Sequence, residues 1–135
     1  MQVFFAFFML LSISYSDSKI PEDFQWKNRI LILKNFQNDS LWFDKGLKEE
    51  IQNRKLLIFH FSGGIKLKSN FEEEIENAKF LEKLPADSES KTAWVLIGLD
   101  GGVKNSGNDF PLPKEIFRLI DSMPMRQSEM KKSNN

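Results

Sequence analysis

His60 is the one histidine of a 135-residue chain that has no cysteine at all. The missing sulfur removes thiolate nucleophiles, dithiol redox chemistry, disulfides and cysteine-ligated metals together. A single imidazole cannot build a histidine metal cluster. His60 could shuttle protons near neutral pH, but "IFHFSGG" places no partner beside it. Ser40 in "NFQNDSLW" is a hydroxyl without a base in reach, which makes a poor nucleophile; its expected role is an N-cap. Carboxylates alone could hold a hard cation. The obvious cluster, Glu72 to Glu74, reads instead as negative charge placed at the start of a helix. No catalytic residue, cofactor or metal is therefore assigned.

Two further groups of residues could carry chemistry. "DGGVK", Asp100 to Lys104, could be a phosphate-cradling loop or a tight turn. A phosphate loop needs its glycines to lead directly into a helix N-terminus, and no helical apolar period begins before residue 113. Asp-Gly between two runs of β-formers predicts a hairpin, with both central residues at positive φ. The second group is Asp121, Arg126 and the methionines around "MPM". An aspartate at a helix C-terminus opposes the macrodipole, so Asp121 calls for a cationic partner, Arg29 or Arg126. Alternatively, Arg126 and Lys104 present cations to a ligand carboxylate or glycan. Met123, Met125 and Met130 could form an adaptable apolar contact surface or cover the end of the core.

The elements that position these residues follow from periodicity. "RILILKNF", Arg29 to Phe36, and "KLLIFHF", Lys55 to Phe61, are almost wholly apolar and read as central strands. Between them, "NDSLWFDKGLKEEIQNR" predicts a helix capped by Asp39 or Ser40, with Phe43, Leu47 and Ile51 inward. Strand, helix and strand with short joins form a parallel βαβ unit. "IKLKS" alternates as a charged edge strand. "SNFEEEIENAKFLEKL" predicts a second helix with an Asn70–Glu73 capping box, its inner face traced by Phe71, Ile75, Ala78 and Leu81 or Glu82. A hairpin follows through "TAWVLIGLDGGVKN". Pro113 then opens a last helix, striped by Ile116, Leu119, Ile120 and Met123. Pro124 is expected to end that helix at Met123 and to leave "MRQSEMKKSNN" as a polar tail.

The order β-α-β-β-α-β-β-α predicts an α/β, thioredoxin-like three-layer sandwich: a βαβ unit, a β-hairpin and a C-terminal helix. Lys and Arg balance Asp and Glu at 19 each, so no basic excess argues for a nucleic-acid partner. Thirteen Phe and three Trp supply a core, and without disulfides packing alone must hold it. The apolar run Val3 to Ile13, followed by Ser14-Tyr15-Ser16, reads as a secretory signal over residues 1–16. The run is too short to span a bilayer. Residues 17–130 then form the domain and 131–135 a polar tail, in an exported, periplasmic or extracellular protein without a stable membrane span after cleavage.

"WVLIGLDGGVK" with "IFRLIDSMPMRQSEM" resembles the signature of the DUF4174 family, and "WKNRILIL" is similar to that family's first strand. The resemblance implies export, a thioredoxin-like fold and kinship with domains of animal extracellular-matrix and cell-surface proteins linked to adhesion. It brings no agreed catalytic activity. It also singles out Arg29, Asp100, Lys104, Asp121 and Arg126 as signature positions for binding. The expected function is an exported, non-redox domain that binds protein or an envelope or matrix polymer. The competing expectation is a cysteine-independent hydrolase or peroxidase-like enzyme using Asp100, Asp121 or His60. An enzyme requires two of these groups to converge in a pocket with perturbed pKa values; a binding module requires exposed apolar surface.

Overall fold

The computed structural model describes residues 18–87 and 91–133. The predicted signal segment lies outside the described residues. Five strands form one sheet: β1 (Arg29–Lys34), β2 (Leu56–Ser62), β3 (Ile65–Ser69), β4 (Ala93–Ile97) and β5 (Val103–Gly107), in the order β3-β2-β1-β4-β5. β1 runs parallel to β2 and antiparallel to β4, and both outer strands pair antiparallel with their neighbours. This mixed α/β architecture is consistent with the expected thioredoxin-like sandwich.

The apolar runs explain the layering. β1 sits at the centre of the sheet and every one of its residues is buried. Leu31 and Leu33 face one side with Leu56, Ile58, Trp94 and Leu96. Helices α1 (Lys48–Asn53) and α3 (Pro113–Asp121) cover that side with Ile51, Ile116, Phe117 and Ile120. Ile30, Ile32, Phe59, Val95 and Ile97 face the other side, beneath Phe24 and the short helix α2 (Asn77–Leu81), which contributes Phe80. Two-sided burial is what selects unbroken apolar strands over alternating ones.

Four local expectations are corrected. The first helix is shorter than predicted. Residues 40–43 form a turn, and Ser40 is exposed and donates its N–H to Asn38 Oδ1 at 2.9 Å. The capping side chain is Asp44, which accepts from the Gly46 N–H at 2.9 Å and caps the 3-10 turn Lys45–Leu47 that leads into α1. The second helix is also short. Asn70 does not cap it but docks on the backbone of β2, accepting from the Ile58 N–H at 2.8 Å and donating to the Leu56 carbonyl at 3.0 Å. The acidic segment that follows is not helical, and Ala78 is exposed where Phe80 is buried.

The hairpin forms, but with a three-residue loop. The Gly101 N–H reaches the Gly98 carbonyl at 3.0 Å, the Gly98 N–H reaches the Gly102 carbonyl at 2.8 Å, and only Gly101 takes a positive φ, +84°. This is a tight turn followed by a left-handed glycine, a geometry that keeps the two strands twisted together. Finally, the polar tail is helical. Pro124 does not merely stop α3; it opens α4 (Pro124–Ser133), where a missing N–H costs nothing.

Candidate functional site

α4 lies against the body through a chain of charges. Arg126, 4 % exposed, donates from Nε to Asp121 Oδ1 at 3.1 Å and from Nη1 to the Asn53 carbonyl at 3.1 Å and to Glu129 at 3.4 Å. Asp121 also receives Arg54 at both oxygens, Nε to Oδ1 at 3.0 Å and Nη2 to Oδ2 at 2.7 Å, a bidentate pairing. Arg54 in turn reaches Glu50 at 2.6 Å and lies over the Phe117 ring at 4.3 Å from its centre. Of the two partners expected for Asp121, Arg126 binds it, and Arg54, which was not expected, binds it as well. Arg29 does not reach it: its Nη1 donates to the Arg54 carbonyl at 3.0 Å and to Glu129 at 3.2 and 3.3 Å.

Burial opposes ionisation of Asp121, yet the hydrogen bonds from Arg54 and Arg126 outweigh it and hold the carboxyl below its usual range. Burial likewise opposes the charge on Arg54, and its contacts with Asp121 and Glu50 raise its pKa in spite of that. Asp100 also stands below its usual range, first through the Lys104 ammonium at 2.7 Å and then through the Gly102 N–H at 2.9 Å. Both aspartates are carboxylates at neutrality, a state suited to fixing cations and poor for donating protons.

In front of this chain lies a pocket of about 280 Å³, lined by Arg29, Leu99, Asp100, Lys104, Met123, Pro124 and Met125. Three elements meet there for local reasons. Arg29 opens β1; the glycine-dependent turn brings Asp100 and Lys104 to the end of the hairpin; the α3–α4 junction at Pro124 brings Met123 and Met125 to the pocket wall. Trp26 sits beside it at φ +67°, exposed, with its N–H 2.6 Å from the Leu99 carbonyl. Of the five signature positions, Arg29, Asp100 and Lys104 line the pocket, while Asp121 and Arg126 stand behind it, joined to Arg29 through Glu129.

The groups an enzyme was expected to use do not converge. Asp100 belongs to the hairpin turn, Asp121 to the end of α3, and His60 to β2. His60 is 2 % exposed and its Nδ1 lies 2.8 Å from Asp39 Oδ2, while Nε2 is buried without a hydrogen-bond partner. Asp39, read as a possible cap, is instead that histidine's partner. Among the described residues no group of three or more acidic or histidine side chains could hold a metal ion, and no helix is long and apolar enough to cross a membrane.

Arg54 and Glu129 were not singled out by the sequence, and Asp39 was read as a cap and not as the partner of His60. Arg54 and Asp121 are 67 positions apart, Arg29 and Glu129 are 100 apart, and neither pair shares a spacing rule. The usable signal was indirect: Arg126 and Glu129, three apart, lie on one face if the tail is helical.

Among family models, the one described as "Domain of unknown function (DUF4174)" matches residues 20–129. No curated protein matches the sequence.

Proposed function

We propose that this chain, which belongs to the DUF4174 family, is an exported, non-redox domain that works by binding, through the pocket where β1, the hairpin turn and the α3–α4 junction meet. One observation carries the reading. Three charged signature groups and two methionines from distant parts of the chain line a single pocket with an apolar wall. That is the composition of a recognition site, mostly apolar with a few placed polar groups. The partner belongs to the exported surroundings, a protein or an envelope or matrix polymer, and Met125 offers exposed apolar surface in the pocket wall. In residues 35–42, where a thioredoxin-like enzyme carries its thiol, the exposed Ser40 stands near that place, and the buried Trp42 binds the Pro111 carbonyl through its indole N–H at 2.8 Å.

A thermal-stability screen against small neutral, cationic and anionic compounds tests this. A ligand of the native state at free concentration c stabilises it by RT ln(1 + c/Kd), so Tm rises with the logarithm of c once that exceeds Kd. The expected result is a subset of compounds that stabilise the protein and are recovered unchanged. Consumption of an ester, a peroxide or a disulfide by the pure protein refutes the reading.

The second reading, a cysteine-independent hydrolase or peroxidase-like enzyme, has one feature in its favour. A carboxylate that orients a histidine leaves the other ring nitrogen free to act as a base, and Asp39 and His60 are so arranged. Its test is turnover that disappears in His60→Gln.

A further inference from the structure

Arg29 is 1 % exposed, the most deeply buried cation among the described residues. One edge of its guanidinium is used. Nη1 donates to the Arg54 carbonyl and to both Glu129 oxygens. The other edge, Nε and Nη2, is buried without any hydrogen-bond partner. Buried donors left unmet are costly, and those of a charged group more so. Two adjacent unmet donors on a residue that lines a pocket call for something in the pocket.

The shape of that edge specifies the chemistry. Nε–H and Nη2–H point the same way in a fixed plane, the fork that accepts the two oxygens of a carboxylate side by side. Charge agrees. Behind the pocket three guanidiniums, Arg29, Arg54 and Arg126, face three carboxylates, Glu50, Asp121 and Glu129, and Lys55 adds a fourth cation 4.0 Å from Glu129. One further anion brings the cluster to neutrality. Beside it Lys104 is already paired with Asp100 at 2.7 Å, so it attracts a second negative charge on a ligand only weakly. The remaining wall is Leu99, Met123, Pro124 and Met125. Methionine is unbranched and adaptable, which lets Met123 and Met125 move aside as a ligand reaches the buried fork. A volume near 280 Å³ suits a compact ligand.

Resting on the reading of this pocket as a binding site, we infer that it takes the carboxylate of a compact monoanion with an apolar body, seated on Arg29 Nε and Nη2. Two sources share that chemistry, a free short-chain acid and the C-terminal carboxylate of a polypeptide ending in an apolar residue.

The test observes the Arg29 Nε–H resonance in the proton–nitrogen spectrum of the full chain, assigned by its absence in Arg29→Lys. The probes are isovalerate and isovaleramide, then the peptide Gly-Gly-Leu with a free and with an amidated C-terminus. A saturable shift of the Arg29 signal with isovalerate and none with its amide supports a free acid. A shift only with the free-ended peptide supports a chain terminus. Arg29→Lys, which keeps the charge but loses the fork, should weaken either probe about tenfold or more. If that variant does not fold, the wild-type Nε–H signal is assigned instead by through-bond correlation to the Arg29 backbone amide, and it still decides. No shift with any carboxylate, or equal shifts with acid and amide, overturns the inference. A neutral or cationic compound that raises Tm and perturbs Met123 and Met125 without moving Arg29 Nε–H overturns the carboxylate assignment alone. Absence of any response at this pocket, whatever the probe's charge, overturns the binding reading as well.

Discussion

Replacing Asp121 by asparagine removes one negative charge that two buried guanidiniums share. In the native protein Asp121 accepts three hydrogen bonds at 2.7–3.1 Å, two from Arg54 and one from Arg126, which are 8 % and 4 % exposed. Removing one member of a buried ion pair costs about 3–5 kcal/mol. Two features reduce that figure: the Asp121 side chain is 32 % exposed, and each arginine keeps other acceptors, Glu50 for Arg54 and the Asn53 carbonyl for Arg126. After discounting for solvent screening, a loss of about 2–3 kcal/mol remains, a fall in Tm on the order of 10 °C for a domain of this size. Glu50→Gln is the comparison, since that carboxylate is 55 % exposed and its ion pair should be worth no more than about 1 kcal/mol.

Urea titrations at several pH values give the assay a second axis. The native Asp121 carboxyl is held below its unfolded value of about 3.9. A carboxylate depressed by folding contributes stability that is complete above the unfolded pKa and disappears as pH falls through the native one. The gap between wild type and Asp121→Asn should therefore be widest near neutrality and close in acid. A loss below about 0.5 kcal/mol, or a gap that stays constant down to about pH 3, refutes the argument that this carboxylate is the anchor of α4.

Three other expectations follow from particular contacts. Gly101→Ala should cost about 1–2 kcal/mol because the backbone there is left-handed at φ +84°, whereas Ser40→Ala should be close to neutral because Asp44 is the cap; equal losses in chemical denaturation would contradict the hairpin geometry. Gly107 lies opposite Trp94 in the β4–β5 register, and a Cβ there would meet the indole Nε1 at 2.7 Å. Gly107→Ala should thus displace the ring and destabilise by about 1–3 kcal/mol, with a change in tryptophan fluorescence, and unchanged fluorescence would show that the ring is not packed there. Arg126→Ala should release α4, read as faster amide exchange after Met123 than in the sheet; exchange that stays as slow as in wild type would remove the charge chain as the cause of docking.

Strands were the most legible part of the chain. Unbroken apolar runs such as Ile30 to Leu33 have few alternatives to a two-sided central strand, and the structure buries all four at 0–1 % exposure. Helix limits were less legible because tertiary contacts overrode local patterns. Asn70 carries the sequence signature of a cap, yet the unpaired backbone of β2 offers it two hydrogen bonds at once. Pro124 reads as a stop from one side and as a first helical residue from the other, and only the docking of Arg126 favours the second. Of the site, Asp121–Arg126 was legible because charge and helix position constrain it locally, whereas Lys104 was read as a cation for a ligand and is instead paired with Asp100. The unmet edge of Arg29 was not, since it depends on which neighbours fail to reach it, and those neighbours come from distant segments.

The central claim is that β1, the hairpin turn and the α3–α4 junction form a pocket that is occupied in use. The methionine methyl spectrum addresses it most directly, because Met123 and Met125 line the pocket and Met130 does not. Addition of a stabilising ligand should move the Met123 and Met125 methyl signals and leave Met130 in place. Stabilisation with all three signals unmoved, or with Met130 moving as far as the other two, would contradict the account.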